Sequence, residues 1–486
     1  MLERLIPTPK LADKKDGTVL VPFSLSTEFS PWNDVCETAE QIFFKIFRKR
    51  LSREAGGITL CADPSLKKGV YRIDTTEGCR LYASDREGIL YAVASLFQIV
   101  MKSPQVPLEV VDGKMVVERC TVEDYPDKGY RGVMVDLARE WHPARTVHCY
   151  IDICFMLKLP YLHLHFIDDQ RYTLPSRAFG RLCEGDSYSL EDVASFNAHA
   201  KACGVTLIPE FEAPGHAQML NEAYPEVFAN EIDGEGVEIR SEVGAVITDK
   251  NVICPGKERT MEALRTILTE ICEMFPDSPY IHIGGDEANI KVWNHCRECR
   301  RYMEENGIAD EKELYSDFVG RMARCVLELG RVPIVWEGFP KEGAHRVPKE
   351  TVVIAWESYY HLAPDLLKAG FTVINCSWKP LYIVPSLLRR WDYRDILDWS
   401  VYRWTHFWVN SAATLNPITV APTDKVRGAQ YAVWECTWEQ EINRVMENLP
   451  AFSERIWTVE RVRDDETFRK MIPQIARMLA WLIREE

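Results

Sequence analysis

What most limits the fold of this chain is a rhythm of eight short apolar runs, each followed by a helical pattern, from YRGVMVDLAR near Tyr130 to GAQYAVWE ending at Glu435. The runs between them are YLHLHFIDD, VTLIPEFE, YIHIGGDE, VPIVWEGF, TVVIAWES and FTVINCSW. Strands alternating with helices argue for a parallel sheet. Eight such units closing on themselves make an α/β fold of the (β/α)8 TIM barrel type. Gly204, Gly330 and Gly370 stop the intervening helices, Ser189 N-caps one of them, and DETFRKMIPQIARMLAWLIREE supplies the eighth. Residues 380–425 are aromatic but lack helical periodicity, so they read as long loops over the active face.

The 486 residues exceed one ordinary domain. Residues 1–120 carry short strands (TVLVPFSL, GITLCA, GVYRIDT, CRLYAS) broken by helical segments, which predicts a small α+β domain ahead of a barrel over 121–486. Ser84-Asp85-Arg86-Glu87 reads as a capping box opening a buried helix that carries Ile89, Leu90, Val93, Leu96, Phe97 and Val100. Asp112-Gly113 marks a hairpin, and Tyr125-Pro126-Asp127 the linker.

An apolar share of 46% with 27% charged residues fits a soluble globular protein. A formal charge of −15 disfavours nucleic acid or an anionic membrane as partner, because phosphate binding needs a basic surface. The opening residues show no apolar signal region, so a cytoplasmic location is expected. Fifteen cysteines at irregular spacings, several inside apolar patterns (Cys154, Cys203, Cys272, Cys376), read as buried thiols in a reducing compartment. No phosphate-loop, dinucleotide or nucleophile-elbow signature is present, and no cofactor is expected. Oligomeric state is not legible, and a homodimer is compatible with the sequence.

Barrel enzymes carry their chemistry where strands end. Here the ends hold Asp136 and Arg139, Asp168 and Asp169, Glu210 and Glu212, Asp286 and Glu287, Trp336 and Glu337, Trp356 and Glu357, Trp434 and Glu435. One acid at a strand end is as readily a helix N-cap as a functional group. Repetition over seven strands points instead to a site, and carboxylates with tryptophan faces suit a sugar's hydroxyls and ring.

The strongest local signal is His282-Ile-Gly-Gly-Asp-Glu287, whose two glycines allow a bend and leave room beside a ligand. Neighbouring side chains leave a strand in different directions, so Asp286 and Glu287 do not form the pair about 5 Å apart of an ordinary retaining glycosidase. They fit another division: Glu287 protonates the leaving oxygen, while Asp286 steers a substrate group that is itself the nucleophile. A 2-acetamido group can serve, its oxygen attacking C1 to give an oxazolinium ion.

With YRGVMVDLAR, HLHFIDDQ, IPEFEAPGHA, HIGGDE, the strand tryptophans and LPAFSERIW in this order, the chain resembles glycoside hydrolase family 20, the β-N-acetylhexosaminidases, over nearly its whole length. The resemblance implies a retaining exo-enzyme acting on terminal β-linked N-acetylglucosamine or N-acetylgalactosamine of a glycan. It implies Asp286 and Glu287 as the catalytic pair, Arg139 on the 3- and 4-hydroxyls, and Asp168 and His216 as support for the general acid. Tyr382 corresponds to the tyrosine on the acetamido oxygen, and Trp336, Trp356 and Trp434 to the aromatic walls. Arg131, at a strand's start, is read as structural. Two positions depart from the family pattern: Val384 stands where an aspartate is common, and Trp434-Glu435-Cys436 where Trp-x-Glu is common. Glu435 fills the missing role only if a bulge re-aims it, and otherwise the pocket around O4 and O6 is less polar or wider.

Two readings compete. A metal-dependent hydrolase could use His163 and His165 with His216 and Asp286, but the histidine pair precedes the strand end, where side chains fill the barrel. A non-catalytic glycan-binding protein has no need of the Asp286-Glu287 pair. His295-Cys296-x-x-Cys299 invites a zinc reading, yet a second cysteine pair is missing and the segment reads as an exposed helix face. No metal site is expected.

Overall fold

A computed structural model describes residues 4–232, 239–240, 246–385 and 390–484. The eight runs form strands Tyr130–Asp136, Tyr161–His165, Thr206–Ala213, Tyr280–Gly284, Val332–Trp336, Val352–Ala355, Thr372–Asn375 and Val426–Val433. Each pairs parallel with the next in chain order, and the eighth pairs with both the seventh and the first, which closes the barrel.

Alternate strand residues divide two cores. Met134, Ile208, Ile334, Ile354 and Ile374 belong to a cluster inside the barrel that rises to Trp336, Trp356 and Tyr382, while the other face joins the large core under the helices. Ser189 caps the helix Leu190–Cys203 in a reciprocal capping box with Asp192, and Gly204 ends it in the left-handed conformation. Gly330 and Gly370 likewise have positive φ just past their helices.

Three expectations change. The helix after the eighth strand is Trp438–Trp457, which buries Val445, Leu449, Phe452 and Ile456 along one face and tolerates Pro450 in its middle. Asp465–Leu482 is an additional helix that packs on it and on the N-terminal helix Asn33–Phe47; residues 485–486 of the expected segment lie outside the described residues. Asp85, not Ser84, caps Arg86–Val100, because its carboxylate accepts the Gly88 N–H at 2.8 Å while Glu87 accepts from the Tyr91 hydroxyl. Within 380–425, the segments Tyr393–Asp398, a helix, and Arg403–Trp404 paired with Ile418–Thr419 interrupt the expected loop; residues 386–389 lie outside the described residues.

Ahead of the barrel, strands Leu11–Val21, Leu25–Thr27, Ile58–Ala62, Tyr71–Asp74, Cys79–Ala83, Val110–Val111 and Lys114–Asp124 form one mixed sheet. The TVLVPFSL run is split between the first two of these, and Asp112-Gly113 turns the expected hairpin with both residues at positive φ. Helix Arg86–Val100 is buried on all sides from Gly88 onward because it lies between this sheet and the barrel helix Ala144–Met156. Beneath the barrel, buried Arg131 donates to the carbonyls of Lys128 and Lys158 and to the Tyr91 hydroxyl. Asp124 accepts from Tyr71, Trp457 and the Lys10 N–H, with the Lys158 ammonium 3.7 Å away. Arg131 is therefore structural, as its position at a strand's start implies. Among the described residues no helix is long and apolar enough to cross a membrane.

Candidate active site

Where the strands end, a cleft of about 480 Å³ opens among Arg139, Asp286, Glu287, Trp336, Trp356, Trp378, Tyr382, Val384, Trp434 and Glu435. Its walls are aromatic. Trp378 stacks on Tyr382 at 4.4 Å between ring centroids, Tyr382 lies parallel to Trp356, and Trp336 tilts against Trp434 at 5.8 Å. The Arg139 guanidinium lies 4.8 Å over the Trp434 ring, 2.8 Å from Asp168, 3.3 Å from Asp136 and 3.8 Å from Glu435.

Asp286 and Glu287 meet this cleft differently. Asp286 is 8% exposed, whereas the Glu287 side chain is half-exposed. His216 bridges them to the interior: Nε2 is 3.3 Å from Glu287 and 4.0 Å from Asp286, and Nδ1 is 3.4 Å from Asp168. Burial works to neutralise His216, but Asp168, Glu287 and Asp286 raise its pKa well above that of a free imidazole. Burial also works to raise Glu287, yet the hydrogen bond and charge of His216, with Arg139 beyond, hold it below the ordinary range. Both shifts run the same way, toward a charged His216 beside a charged Glu287, with Nε2 3.3 Å from the carboxylate.

Burial pushes Asp286 up to about 6 against the pull of His216, and the neighbouring Glu287 and Glu210 charges push the same way. Glu212 stands well above the carboxylate range through burial and the charges of Asp286 and Glu210, so it keeps its proton and shares it with Asp286. The third and fourth strands meet this closely because residue 284 is glycine: a Cβ there would collide with the Glu212 carboxylate. The glycine pair was expected to leave room for a ligand, but at Gly284 the space is filled by Glu212, which also accepts the Gly285 N–H at 2.9 Å. Below lies Glu210, which is hydrogen-bonded to His165 and accepts from the Trp336 indole, with His163 Nε2 at 3.0 Å and His282 Nδ1, itself the acceptor of the Gly284 N–H, at 2.9 Å.

Four strand ends share one backbone device. His216, Glu287, Ser358 and Glu435 have φ of 47, 43, 55 and 54°, just after the third, fourth, sixth and eighth strands. A non-glycine residue in that region costs roughly 1–2 kcal/mol and clusters at functional sites. The turn at Glu287 lets two consecutive carboxylates address one cleft despite leaving the strand in different directions. The bulge expected to re-aim Glu435 is not what turns it: a left-handed residue past the strand brings its side chain into the cleft beside Arg139.

Residues 129–460 match the family model described as Glycosyl hydrolase family 20, catalytic domain, which covers more than half of the chain. The chain belongs to glycosyl hydrolase family 20. It is 28% identical over 435 residues to a β-hexosaminidase of Akkermansia muciniphila, covering 84% of this chain and 83% of that one. It is 25% identical over 390 residues to the human β-hexosaminidase subunit beta, covering 76% of this chain and 64% of that one. The crystal structure of an exo-β-N-acetylglucosaminidase of this family from Vibrio harveyi, in complex with N-acetylglucosamine, superposes with a TM-score of 0.82 at 23% identity over 97% of this chain and 76% of that one.

In this family 20 hydrolase, Arg139, Asp286, Glu287, Trp336, Trp356, Tyr382, Trp434 and Glu435 all line the cleft. Asp168 and His216 stand behind them, on Arg139 and Glu287. Other strand-end acids do not converge as expected. Asp136 accepts the N–H groups of Ala138 and Arg139, Asp169 those of Gln218 and the Asn251 amide, and Glu337 the backbone of Ser358, Tyr359 and His361. They hold loops. Sequence reasoning missed Trp378, whose signal was its place just past the seventh strand, and named Glu212 among the strand-end acids without giving it a role beside Asp286. It also misjudged Cys296 and Cys299, which are buried. His163 and His165 are both buried beside Glu210, as expected of core side chains, but only His165 is hydrogen-bonded there, to Glu210 and Asp168, while among the described residues neither ring nitrogen of His163 has a hydrogen-bond partner.

Proposed function

We propose that this glycoside hydrolase is an exo-acting, retaining β-N-acetylhexosaminidase in which the substrate's acetamido oxygen is the nucleophile. The observation that carries the reading is two consecutive carboxylates facing one aromatic-walled cleft, the first buried and the second half-exposed. The names of the Akkermansia and human relatives support the same activity. In this reading Asp286 accepts the acetamido N–H, orienting the carbonyl oxygen below C1, and the Tyr382 phenol steadies that oxygen. The oxygen bonds to C1 as the glycosidic C–O bond breaks, and Glu287 delivers a proton to the departing oxygen. Glu287, now a carboxylate, takes a proton from water, whose oxygen bonds to C1 and reopens the oxazolinium ring with net retention.

Supply of the proton follows from the His216 pair. A sugar covering Glu287 displaces its water, which raises the carboxyl and draws the proton from His216, while Asp168 stabilises the imidazole throughout. Arg139 presents two donors to neighbouring hydroxyls, and Glu435, aimed beside it, accepts from the same edge of the ring. Val384 puts an apolar side chain where the family pattern often places an aspartate. We infer a tolerant pocket at O6 that accepts a 6-substituted, including an anionic, sugar or discriminates weakly between gluco and galacto epimers.

A panel of aryl β-glycosides tests both levels. N-acetylglucosaminide and N-acetylgalactosaminide are expected to turn over within about tenfold of each other, the 6-sulfated sugar measurably, and plain glucoside negligibly. Brisk glucoside hydrolysis would remove the acetamido mechanism, and strict preference for unmodified N-acetylglucosamine would remove only the tolerant pocket.

A further inference from the structure

Away from the cleft, three cysteines distant in sequence meet in the core. Cys254 Sγ lies 3.5 Å from Cys296 Sγ and 3.5 Å from Cys299 Sγ, all three thiols are buried, and all three sulfurs fall within 4.8 Å of one another. Ordinary thiol packing leaves no reason for three to converge. Thiolates at about 2.3 Å around a tetrahedral zinc ion stand about 3.8 Å apart, and this spacing is close to that.

Two of the three sulfurs accept backbone N–H groups. Cys296 accepts backbone N–H groups from Glu231 at 3.3 Å and from Cys299, and Cys254 accepts one from Gly256. Residue 256 has to be glycine, because a Cβ there would stand 2.5 Å from the Glu298 carbonyl oxygen and 2.7 Å from the Cys299 nitrogen. The chain is thus built to press the Cys254 segment onto the start of helix Arg297–Glu305. An oxygen also faces the cluster: Asn230 Oδ1 is 3.9 Å from Cys299 Sγ, with its Nδ2 occupied by the Val252 carbonyl. The buried ammonium of Lys257 lies 3.4 Å from the side chain of Glu231, the residue whose backbone N–H Cys296 accepts.

We propose that Cys254, Cys296 and Cys299 bind one structural zinc ion, with the Asn230 side-chain oxygen in the fourth position. Three thiols release their protons to solvent as the metal binds, and no electron is transferred. The site would join the two loops that matter most to the cleft. Ile253 donates to the Pro214 carbonyl beside the His216 turn, and its own carbonyl accepts from Trp293, in the loop that follows Glu287.

The test is metal analysis of untagged enzyme after exhaustive dialysis, with thiol alkylation of the same sample. About one zinc per chain is expected, falling at least tenfold in Cys254→Ser and Cys296→Ser and unchanged in Cys272→Ser, whose thiol is only partly buried elsewhere. Growth or exchange with cobalt(II) should give the intense thiolate-to-metal absorption of a tetrahedral site in the wild-type enzyme, which keeps the test open if the serine variants do not fold. A metal-free enzyme with all three thiols alkylated without unfolding or chelation overturns the proposal. So does a disulfide among them.

Discussion

The two ends of the barrel hold buried charge in opposite ways. Beneath the strands, Arg131 is surrounded by carbonyl acceptors, and Asp124 is satisfied by Tyr71, Trp457, Lys10 and Lys158. Burial still pushes the Lys158 ammonium down to about 8, against the pull of Asp124. Above the strands, Asp286, Glu212 and Glu287 crowd one edge with a single histidine among them, and two of these acids are raised. Donors and acceptors are matched below, which serves stability; carboxylates are in excess above, which stabilises nothing until a substrate brings an N–H and a developing positive charge.

The largest effect that would test this contrast is expected from Glu287→Gln, which should lower kcat/KM for substrates with poor leaving groups by about 10²–10⁴ while leaving the unfolding transition in place. Activated aryl substrates should be hurt less, and equal losses on both would remove the acid role. Asp124→Leu should do the reverse, costing about 3–5 kcal/mol in urea unfolding by stranding Lys158, with unchanged kcat in the folded fraction. Asp286→Asn sharpens the comparison because it separates the two quantities. Its kcat should fall by about 10²–10³. Its stability should rise, because a folded pKa of about 6 means that native protein loses stability as pH climbs from about 4 to 6, and the amide escapes that loss. The gain, on the order of 1–3 kcal/mol above pH 6, should vanish below about pH 4. The same titration predicts that wild-type kcat declines as pH falls through about 6, a limb that the asparagine variant should lack. Smallest, Trp378→Ala should raise KM by about tenfold with little change in kcat, since it trims the wall and not the acids.

Much of this was legible in the chain. The eight strands could be read because each is a short apolar run closed by a polar or aromatic residue, and the site because those closures repeat. What escaped was information that sequence does not carry locally. Nothing in Glu287 or Glu435 announces a left-handed backbone, because only glycine advertises that freedom. Gly284 was read as space for a ligand, when its neighbour Glu212 comes from another strand. The Cys296 and Cys299 pair looked incomplete because its third member, Cys254, lies 42 residues away in the chain.

The positive-φ turns at His216, Glu287, Ser358 and Glu435 have a consequence for anyone who would move this site. Aim is written here in the main chain and not only in the rotamers it carries. Transplanting the side chains onto another barrel without those four bends would deliver the right functional groups on the wrong bearings, and relaxing a bend with glycine would trade strain for wander.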